Sequence, residues 1–267
     1  MDQQIGTIRK NVCLHSAYYL LEAEMCDKSS WESSAPGQFA MVRIPQHRDL
    51  VLRRPFSIFD ADGHRLTLLY KVVGRGTAAL SRCLPGTQLD IVGPLGNGFP
   101  QDMGGHRLLL VAGGYGVAAL YRLAGKSGKR CTLIYGARTA AELVCLDKLQ
   151  DTGCRLIPVT EDGSLGEKGT SVSVLAGLLP TLRDKTDLAI GACGPIPMLR
   201  RVAELSQAHG VPSWVSLERH MACGIGVCLG CVVKLRDSNW HRVCSEGPVF
   251  AGEQVDWDAL EEHEELR

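Results

Sequence analysis

Four cysteines lie close together near the end of this 267-residue sequence. Four residues separate the first two, two residues separate the second and third, and twelve residues precede the last. They are Cys223, Cys228, Cys231 and Cys244. This spacing is typical of plant-type [2Fe–2S] sites. Gly224, Gly226 and Gly230 lie among them, and glycine tolerates the positive φ that a loop needs to curl closely around a cluster. The run predicts a [2Fe–2S] cluster that relays single electrons.

Two alternatives exist for the four thiols, a structural zinc site and a set of free cysteines. Structural zinc prefers paired C-x-x-C knuckles, and Cys228 with Cys231 forms the one such pair here. The spacing therefore favours the cluster. The other seven cysteines are scattered, and most of them are expected to be small buried hydrophobic residues. They are Cys13, Cys26, Cys83, Cys131, Cys145, Cys154 and Cys193.

Two segments in the first hundred residues have the chemistry of a flavin site. The run RRPFSIFD brings together a cation for a phosphate, an aromatic ring for the flavin and a hydroxyl for a flavin heteroatom. These are Arg54, Pro55, Phe56 and Ser57. Further along, Gly74, Gly76 and Thr77 precede a helix-like segment, whose free N–H groups suit a pyrophosphate. An ordinary edge strand and an empty turn are the alternatives, but the two segments together favour FAD.

Two strand-to-helix turns in the middle of the chain predict a nicotinamide site. The run LLLVAGGYGVAAL leads a buried strand into Gly113, Gly114 and Gly116, although it is not a full G-x-G-x-x-G. The run DLAIGACGPIPML ends another strand at Cys193, Gly194 and Pro195. Both turns would face one crevice at the carboxyl edge of a parallel sheet, so we expect a dinucleotide there.

The pattern of residues changes twice along the chain, which predicts two domains and a smaller module. Short β-like runs separated by Gly, Pro, Asp and Asn predict a FAD-binding antiparallel β-barrel over 1–100. Apolar strands that alternate with helical segments predict a doubly wound α/β nucleotide-binding domain over 106–212. The cysteine-rich segment 216–267 is too short for a robust core of its own, so we expect a [2Fe–2S] module.

Composition excludes several classes of protein. Hydrophobic residues make up 45% and charged residues 22%, as in ordinary globular chains. Lys plus Arg equals Asp plus Glu at 29 each, so no overall field favours nucleic acid or anionic lipid. The sequence has no stretch that approaches the ~18 apolar residues of a membrane span and no N-terminal signal-like segment. We expect a cytoplasmic protein that binds neither nucleic acid nor membrane.

Eight motifs make the chain resemble the electron-transfer subunits of NAD-dependent dihydroorotate dehydrogenase, within the ferredoxin-reductase-like superfamily. The resemblance spans nearly the whole chain. The motifs are RRPFSI, VVGRGT, GPLGNGF, VAGGYGVAAL, GARTAAEL, CGPIPML, SLERHMACGIGVCLGCVV and VCSEGPVF. The last two are the most specific, because the wider superfamily often lacks the C-terminal cluster.

The resemblance implies cofactors, contacts and a partner. It implies FAD contacts from the RPFS residues, from Leu69, Tyr70 and Lys71, and from Gly76 and Thr77, with NAD in the second domain. It also implies an FMN-containing catalytic subunit that oxidises dihydroorotate, in a heterotetramer of two subunits of each kind. Electrons would pass through the cluster to FAD and then to NAD, and the loop Met221 to Gly230 would lie near the partner.

Two other functions remain open at this point. The first is the small subunit of a flavin-based NAD(P)H–ferredoxin oxidoreductase, whose cluster commonly has aspartate in place of the first cysteine; Cys223 favours the dihydroorotate family. The second is an iron–sulfur redox sensor, which would leave the flavin barrel and the dinucleotide crevice without a use.

Overall fold

The computed structural model describes residues 2–27, 29–44, 50–182 and 185–265. The first body is a closed antiparallel barrel with the strand order β1-β2-β5-β4-β3-β6. Its strands are β1 (Asp2–His15), β2 (Tyr18–Met25), β3 (Phe39–Arg43), β4 (Arg54–Asp62), β5 (Arg65–Lys71) and β6 (Gln88–Leu95). Two short helices accompany them, α1 (Ser29–Glu32) and α2 (Arg75–Leu80). The predicted barrel is confirmed.

The barrel closes around side chains that point inward from alternate strand positions. Ile58, Leu68 and Leu89 are fully buried there, and Trp31 of α1 fills the same core. Successive residues of a strand point to opposite faces. Because of this alternation, neighbouring residues of β4 and β5 have different roles: some form the barrel core and others face the rest of the molecule.

The second body is a seven-stranded sheet with the order β10-β9-β8-β7-β11-β12-β15. Its first six strands are β7 (Arg107–Gly113), β8 (Cys131–Ala137), β9 (Arg155–Thr160), β10 (Glu167–Lys168), β11 (Leu188–Cys193) and β12 (Ser213–Ser216). These pair in parallel, whereas the last strand, β15 (Val249–Ala251), is antiparallel to β12. The connections contain α3 (Val117–Ser127), α4 (Leu146–Asp151), α5 (Ser171–Leu178) and α6 (Ile196–Ala208).

The sequence of the central strand explains why it is buried on both faces. Leu108 to Ala112 in β7 are all apolar, and none is more than 4% exposed. Such continuous apolar runs are typical of parallel strands covered by helices on both sides. The chain order reverses between β7 and β11, so the topological switch point lies at their carboxyl ends.

The cysteine-rich segment adds a two-stranded hairpin, β13 (Val232–Lys234) with β14 (Trp240–Arg242), and the terminal α7 (Trp257–Glu265). The hairpin does not form a separate core: Cys231 and Cys244 belong to the same buried cluster as Leu199 of α6 and Val215 of β12. The sheet also continues past the predicted boundary at 212, because β12 and β15 are its last two strands. The C-terminal segment is therefore an extension of the second body.

No helix in the described ranges is both long and apolar enough to cross a membrane.

Candidate functional site

The four predicted cluster ligands come together as two pairs of thiols. Cys231 and Cys244, which flank the hairpin, are each 2% exposed. Their side chains are in hydrogen-bond contact with each other. Cys223 and Cys228 form the second pair nearer the surface, where Cys228 is exposed and Cys223 is partly buried. The inner pair is thus packed in protein, and the outer pair faces solvent.

Backbone N–H groups of the loop point at the sulfur atoms. Gly226 N donates to Cys244 Sγ at 3.1 Å, and Ile225 N and Cys228 N each donate to Cys223 Sγ at 3.5 Å. Burial raises the pKa of the Cys223 thiol, but these N–H groups outweigh burial and lower that pKa to about 6. Burial and the Cys231 thiol raise the pKa of Cys244 to about 12. The part of the loop around Cys223 therefore stabilises the thiolate form of that cysteine.

The backbone of the loop curls through left-handed conformations at three positions. Gly224 has φ 74° and Gly226 has φ 83°, as the sequence predicts. The third such residue is Leu229, at φ 59°, and not Gly230. Gly230 does not need a positive φ, because the turn reaches its left-handed position one residue earlier, but a Cβ at Gly230 would lie 3.6 Å from Cys228 Sγ.

This donor set fits a two-iron cluster. A [2Fe–2S] cluster takes four cysteine thiolates shared between two irons, which two neighbouring thiol pairs can supply. Over the residues that the structure describes, no three His, Cys, Asp or Glu side chains form a group that could hold a metal ion in the present side-chain positions. The fit therefore rests on the two thiol pairs and on the N–H groups directed at them.

The GPLGNGF motif fastens the cluster segment to the barrel. Asn97 Nδ2 donates to the carbonyls of Ser245 and Glu246, at 3.2 and 3.1 Å. The backbone N–H of Asn97 donates to the carbonyl of Gly247 at 2.5 Å. The turn that follows Cys244 is consequently held against the end of β6.

The two predicted flavin segments are in contact with each other. A side chain at Gly76, in α2, would lie 2.5 Å from Arg54 Nε of β4, so the helix packs directly against that guanidinium. Thr77 Oγ1 accepts hydrogen bonds from Val73 N and Gly74 N, which shapes the turn before α2. Arg54, Pro55, Ser57 and Lys71 are all partly exposed. The structure thus places the cation, the hydroxyl and the turn at one end of the barrel.

Phe56 and Tyr70 lie inside the barrel. Phe56 is 7% exposed and Tyr70 is 2% exposed, and their rings meet edge to face with centroids 5.6 Å apart. The Tyr70 hydroxyl donates to Asn11 Oδ1 at 3.0 Å. Little of the Phe56 ring is therefore available to cover a flavin in this conformation. Leu69 is buried on the outer face of β5, in the core cluster shared with the second body.

The two predicted nicotinamide turns lie side by side at the switch point. Ala112 of β7 is paired with Cys193 of β11. A Cβ at Gly116 would lie 2.4 Å from the Cys193 carbonyl oxygen, and one at Gly194 would lie 3.1 Å from Gly113 Cα. Gly114 has φ 54°, and Pro195 caps α6. Cys193 itself is fully buried, its carbonyl borders the turn, and its thiol lies close enough to Tyr115 and Glu218 to interact with them electrostatically.

A carboxylate that sequence reasoning missed lies at the same crevice. Glu218 follows β12, and its Oε2 accepts a hydrogen bond from the Tyr115 hydroxyl at 2.9 Å. The side chain keeps contact with solvent, but protein atoms crowd its carboxylate, and this burial raises the pKa of Glu218 above the ordinary carboxyl value. The signal is hard to find in the sequence, because the two partners are 103 positions apart.

We expect the Glu218→Gln variant to be more stable than the parent chain at pH 8. A raised carboxyl pKa means that the folded state holds the proton more tightly than the unfolded chain, so the charge costs stability as pH rises through the raised value. Glutamine removes that charge and still accepts the Tyr115 hydrogen bond. Because Glu218 is an exposed residue, solvent screens much of this cost, so the melting temperature should rise by about 1 °C at pH 8. Thermal unfolding followed by circular dichroism measures it.

The same measurement at a pH below the ordinary carboxyl pKa of about 4.3 supplies the control. Glu218 is then neutral in both the folded and the unfolded state, so the two proteins should have equal melting temperatures. If the difference in melting temperature grew on acidification, the cost could not come from the partly desolvated charge of Glu218.

One barrel strand joins the cluster loop to the flavin segment. A Cβ at Gly224 would lie 2.5 Å from Met41 Cγ, so the loop rests on that side chain of β3. Met41 is in turn paired with Pro55 of β4. Neighbouring strands are about 4.8 Å apart. The cluster loop therefore lies close to the RPFS segment, and Glu218 links the start of the same loop to the nicotinamide turns.

Comparison with known proteins agrees with this arrangement. Residues 218–256 match the family described as the iron–sulfur cluster binding domain of dihydroorotate dehydrogenase B. The dihydroorotate dehydrogenase B (NAD(+)) electron transfer subunit of Caldanaerobacter subterraneus subsp. tengcongensis is 40% identical over 223 residues, which is 82% of this chain and 86% of that protein. A homolog of that subunit from Aquifex aeolicus is 38% identical and covers 93% of this chain and 96% of its own length.

Solved structures show the same fold. A chain from a study of the NADH-dependent reduced ferredoxin-NADP oxidoreductase superposes with a TM-score of 0.83 at 31% identity, covering 98% of this chain and 95% of that one. A ferredoxin reductase of carbazole 1,9a-dioxygenase superposes with a TM-score of 0.66 at 20% identity, over 79% of this chain and 66% of that one. The second likeness shows the fold alone. The identity and coverage of the curated relatives show that this chain belongs to the family of dihydroorotate dehydrogenase B electron transfer subunits.

Proposed function

We propose that this chain carries electrons from a dihydroorotate-oxidising partner subunit to NAD, through a [2Fe–2S] cluster and FAD. The observation that carries the proposal is the meeting of three predicted sites around β3 and the switch point. The cluster loop rests on Met41, beside the RPFS strand, and leads through Glu218 to the nicotinamide turns. A relay needs such adjacency, because each centre must pass electrons to the next.

The residues divide among the three cofactor sites as follows. We assign the cluster to Cys223, Cys228, Cys231 and Cys244. We assign FAD to Arg54, Pro55, Phe56, Ser57, Leu69, Tyr70, Lys71, Gly76 and Thr77. We assign NAD to Gly113, Gly114, Gly116, Cys193, Gly194 and Pro195. The burial of Phe56 and Tyr70 favours a role for them in shaping the barrel end, with the FAD contacts at those two positions made by backbone atoms.

The chain's own residues bind and position the cofactors and need not move protons. When bound, FAD supplies the exchange between a two-electron hydride donor and one-electron carriers. Arg54 offers a guanidinium fork to phosphate, and Thr77 holds the turn before α2. The paired turns at Gly113 and Gly194 let a nucleotide approach the backbone closely.

The partner is expected to contain FMN and to form a heterotetramer of two subunits of each kind. The cluster loop offers a surface for it: Ile225 is 45% exposed, Val227 is 75% exposed and Leu229 is 60% exposed, all between cluster ligands. Apolar groups grouped on a surface mark sites of protein association. All eleven cysteines are free, which supports a reducing compartment such as the cytoplasm.

We expect the Val227→Asp variant to associate with the catalytic subunit at least about tenfold more weakly, because a charge would be buried against the partner. Leu84→Asp is the matched control, since Leu84 is 72% exposed on the turn after α2 of the barrel. Affinity is measured by calorimetry on cluster-loaded protein, with iron content determined for each variant. Equal affinity for both variants would place the interface elsewhere.

A purified, anaerobically handled sample tests the proposal as a whole. It should contain FAD, iron and acid-labile sulfide, and NADH should bleach the flavin and cluster absorbance. Together with its natural partner it should reduce NAD in a dihydroorotate-dependent reaction. A sample with zinc and no flavin would overturn the proposal.

A second function is favoured by one observation, the TM-score of 0.83 and 98% coverage with the NADH-dependent reduced ferredoxin-NADP oxidoreductase chain. The chain would then be the small subunit of an NAD(P)H–ferredoxin oxidoreductase. Co-purification distinguishes the two functions, since NADPH–ferredoxin exchange without dihydroorotate oxidation would support the second one.

A further inference from the structure

An arginine–glutamate pair lies at the carboxyl end of β8. Arg138 directly follows the strand, and Glu142 ends the short 3-10 turn Ala140–Glu142. Arg138 Nε donates to Glu142 Oε2 at 3.2 Å, while Arg138 Nη2 donates to Oε1. This is the two-pronged geometry in which a guanidinium binds a carboxylate or a phosphate. The carboxylate of Glu142 therefore occupies the fork of Arg138.

The pair borders the predicted nicotinamide crevice. β8 is the neighbour of β7, and Gly136 of β8 is paired with Gly113. On the barrel side, Lys71 Nζ is 3.8 Å from Glu142 Oε1 and lies 4.9 Å from the centroid of the Tyr18 ring. A Cβ at Gly114 would lie 3.4 Å from the Tyr18 hydroxyl. A continuous set of contacts thus joins Glu142 to the glycine turn.

In doubly wound sheets, residues at the carboxyl end of the second strand, here β8, contact the adenosine ribose of a bound dinucleotide. An acidic residue there binds the free 2′-hydroxyl, whereas an arginine nearby accommodates a 2′-phosphate. This chain has both groups, and the ion pair between them decides which is available. The Arg138 side chain is 68% exposed and the Glu142 side chain 17% exposed, so the cation faces solvent while the carboxylate is held against protein.

The surrounding charges favour a neutral ribose. The Arg138 hydrogen bond, together with Lys71, lowers the pKa of Glu142 and keeps it ionised, although burial opposes this. Glu161, which follows β9, also acts on Arg138 electrostatically. A 2′-phosphate would have to displace Glu142 from Arg138 and then sit beside two carboxylates. A 2′-hydroxyl would need neither change.

We propose, as an extension of the proposed function, that Glu142 determines nucleotide specificity: by occupying Arg138 it makes the site select NADH over NADPH. Arg138 acts as a phosphate-binding group only when Glu142 is removed. The specificity therefore depends on the ion pair between Arg138 and Glu142. The negative charges of the nearby carboxylates add repulsion against a 2′-phosphate.

The test compares the parent holoprotein with the Glu142→Gln variant. Calorimetric titration with 5′-AMP and with adenosine 2′,5′-bisphosphate measures binding without any turnover. The parent should prefer 5′-AMP at least about tenfold, and Glu142→Gln should shift the ratio toward the bisphosphate by at least about tenfold. The ratio of kcat/KM for NADH and NADPH in flavin reduction should move in the same direction.

Two further variants make the test specific. Glu204→Gln is the matched control, because Glu204 forms a pair with Arg200 at the same sequence spacing on α6. Its binding ratio should equal that of the parent. The double variant Arg138→Ala with Glu142→Gln should lose the gained affinity for the bisphosphate, because the phosphate-binding fork is then gone.

The inference would be overturned if Glu142→Gln kept the parent's ratio of affinities for the two nucleotides, or if the parent preferred the bisphosphate. In either case NADH would still bleach the flavin, so the proposed function would stand. If the parent bound neither nucleotide and NADH left the flavin oxidised, the proposed nicotinamide site would fail, and the inference with it.

Discussion

Replacing Cys231 with serine is expected to remove the [2Fe–2S] cluster while NADH still reduces the FAD. Cys231 is 2% exposed and belongs to the inner thiol pair, so no other thiol can move into its place without repacking the core. A serine hydroxyl is a poor ligand for iron in a site built for thiolates. Partner-coupled electron transfer should fall by about 100-fold or more, because loss of a residue that merely supports a ligand already costs about 10–100-fold.

Iron and acid-labile sulfide analysis and the visible spectrum measure this effect, and NADH bleaching of the flavin is followed separately. Cys26→Ser is the matched control, because Cys26 is an exposed thiol of the barrel that donates to the Ile5 carbonyl. Full retention of iron and sulfide in Cys231→Ser would remove this residue from the ligand set.

The second large effect is expected from Gly116→Ala in the nicotinamide turn. The new Cβ would lie 2.4 Å from the Cys193 carbonyl oxygen, and the neighbouring backbone cannot move without separating β7 from β11. Gly116 has an ordinary helical φ of −57°, so the cost is steric and not conformational. Overpacking of this kind costs about 1–3 kcal/mol. The rate of flavin reduction by NADH should drop at least about tenfold, because the two turns are displaced.

Gly125→Ala is the matched control, in α3, the helix that Gly116 precedes. Among the described residues, apart from Gly125 itself, its chain neighbours and the backbone of its own helix, no heavy atom lies within 4 Å of a Cβ placed there. Alanine in a helix interior is more favourable than glycine by about 0.5–1 kcal/mol, so this variant should be slightly stabilised. Urea unfolding and stopped-flow reduction by NADH compare the three proteins. Equal reduction rates for Gly116→Ala and the parent would show that the turn does not shape the nicotinamide site.

Much of the fold follows from local patterns in the sequence. The runs FAMVRI, RPFSIFD, RLTLLYKVV and QLDIVG become β3 to β6. They could be predicted because each is a short β-like run bounded by Gly, Pro, Asp or Asn. LLLVAGG and CTLIYGA become β7 and β8, because apolar runs are needed on both faces of a parallel sheet. In contrast, β1 has two register shifts against β2 and mostly exposed residues, so its pattern is weak.

The features that sequence reasoning missed depend on residues distant in the chain. β15 has only three residues, and it is a strand because β12 offers an open edge. Glu218 becomes part of the crevice because β12 brings it to Tyr115. Phe56 points into the barrel because of its register on β4, which composition alone does not specify. Topology had to be known before any of these roles could be assigned.

The attachment of the C-terminal segment has a consequence for engineering. Just after its hairpin, the segment is fastened twice, by Asn97 at the end of β6 and by the pairing of β15 with β12 at the edge of the sheet. The cluster site is therefore attached to both bodies of the molecule, which we expect to limit changes in the distance over which electrons tunnel. A chimera that borrowed only the hairpin would lose these attachments, whereas one that also borrowed the GPLGNGF turn, β12 and β15 would keep them.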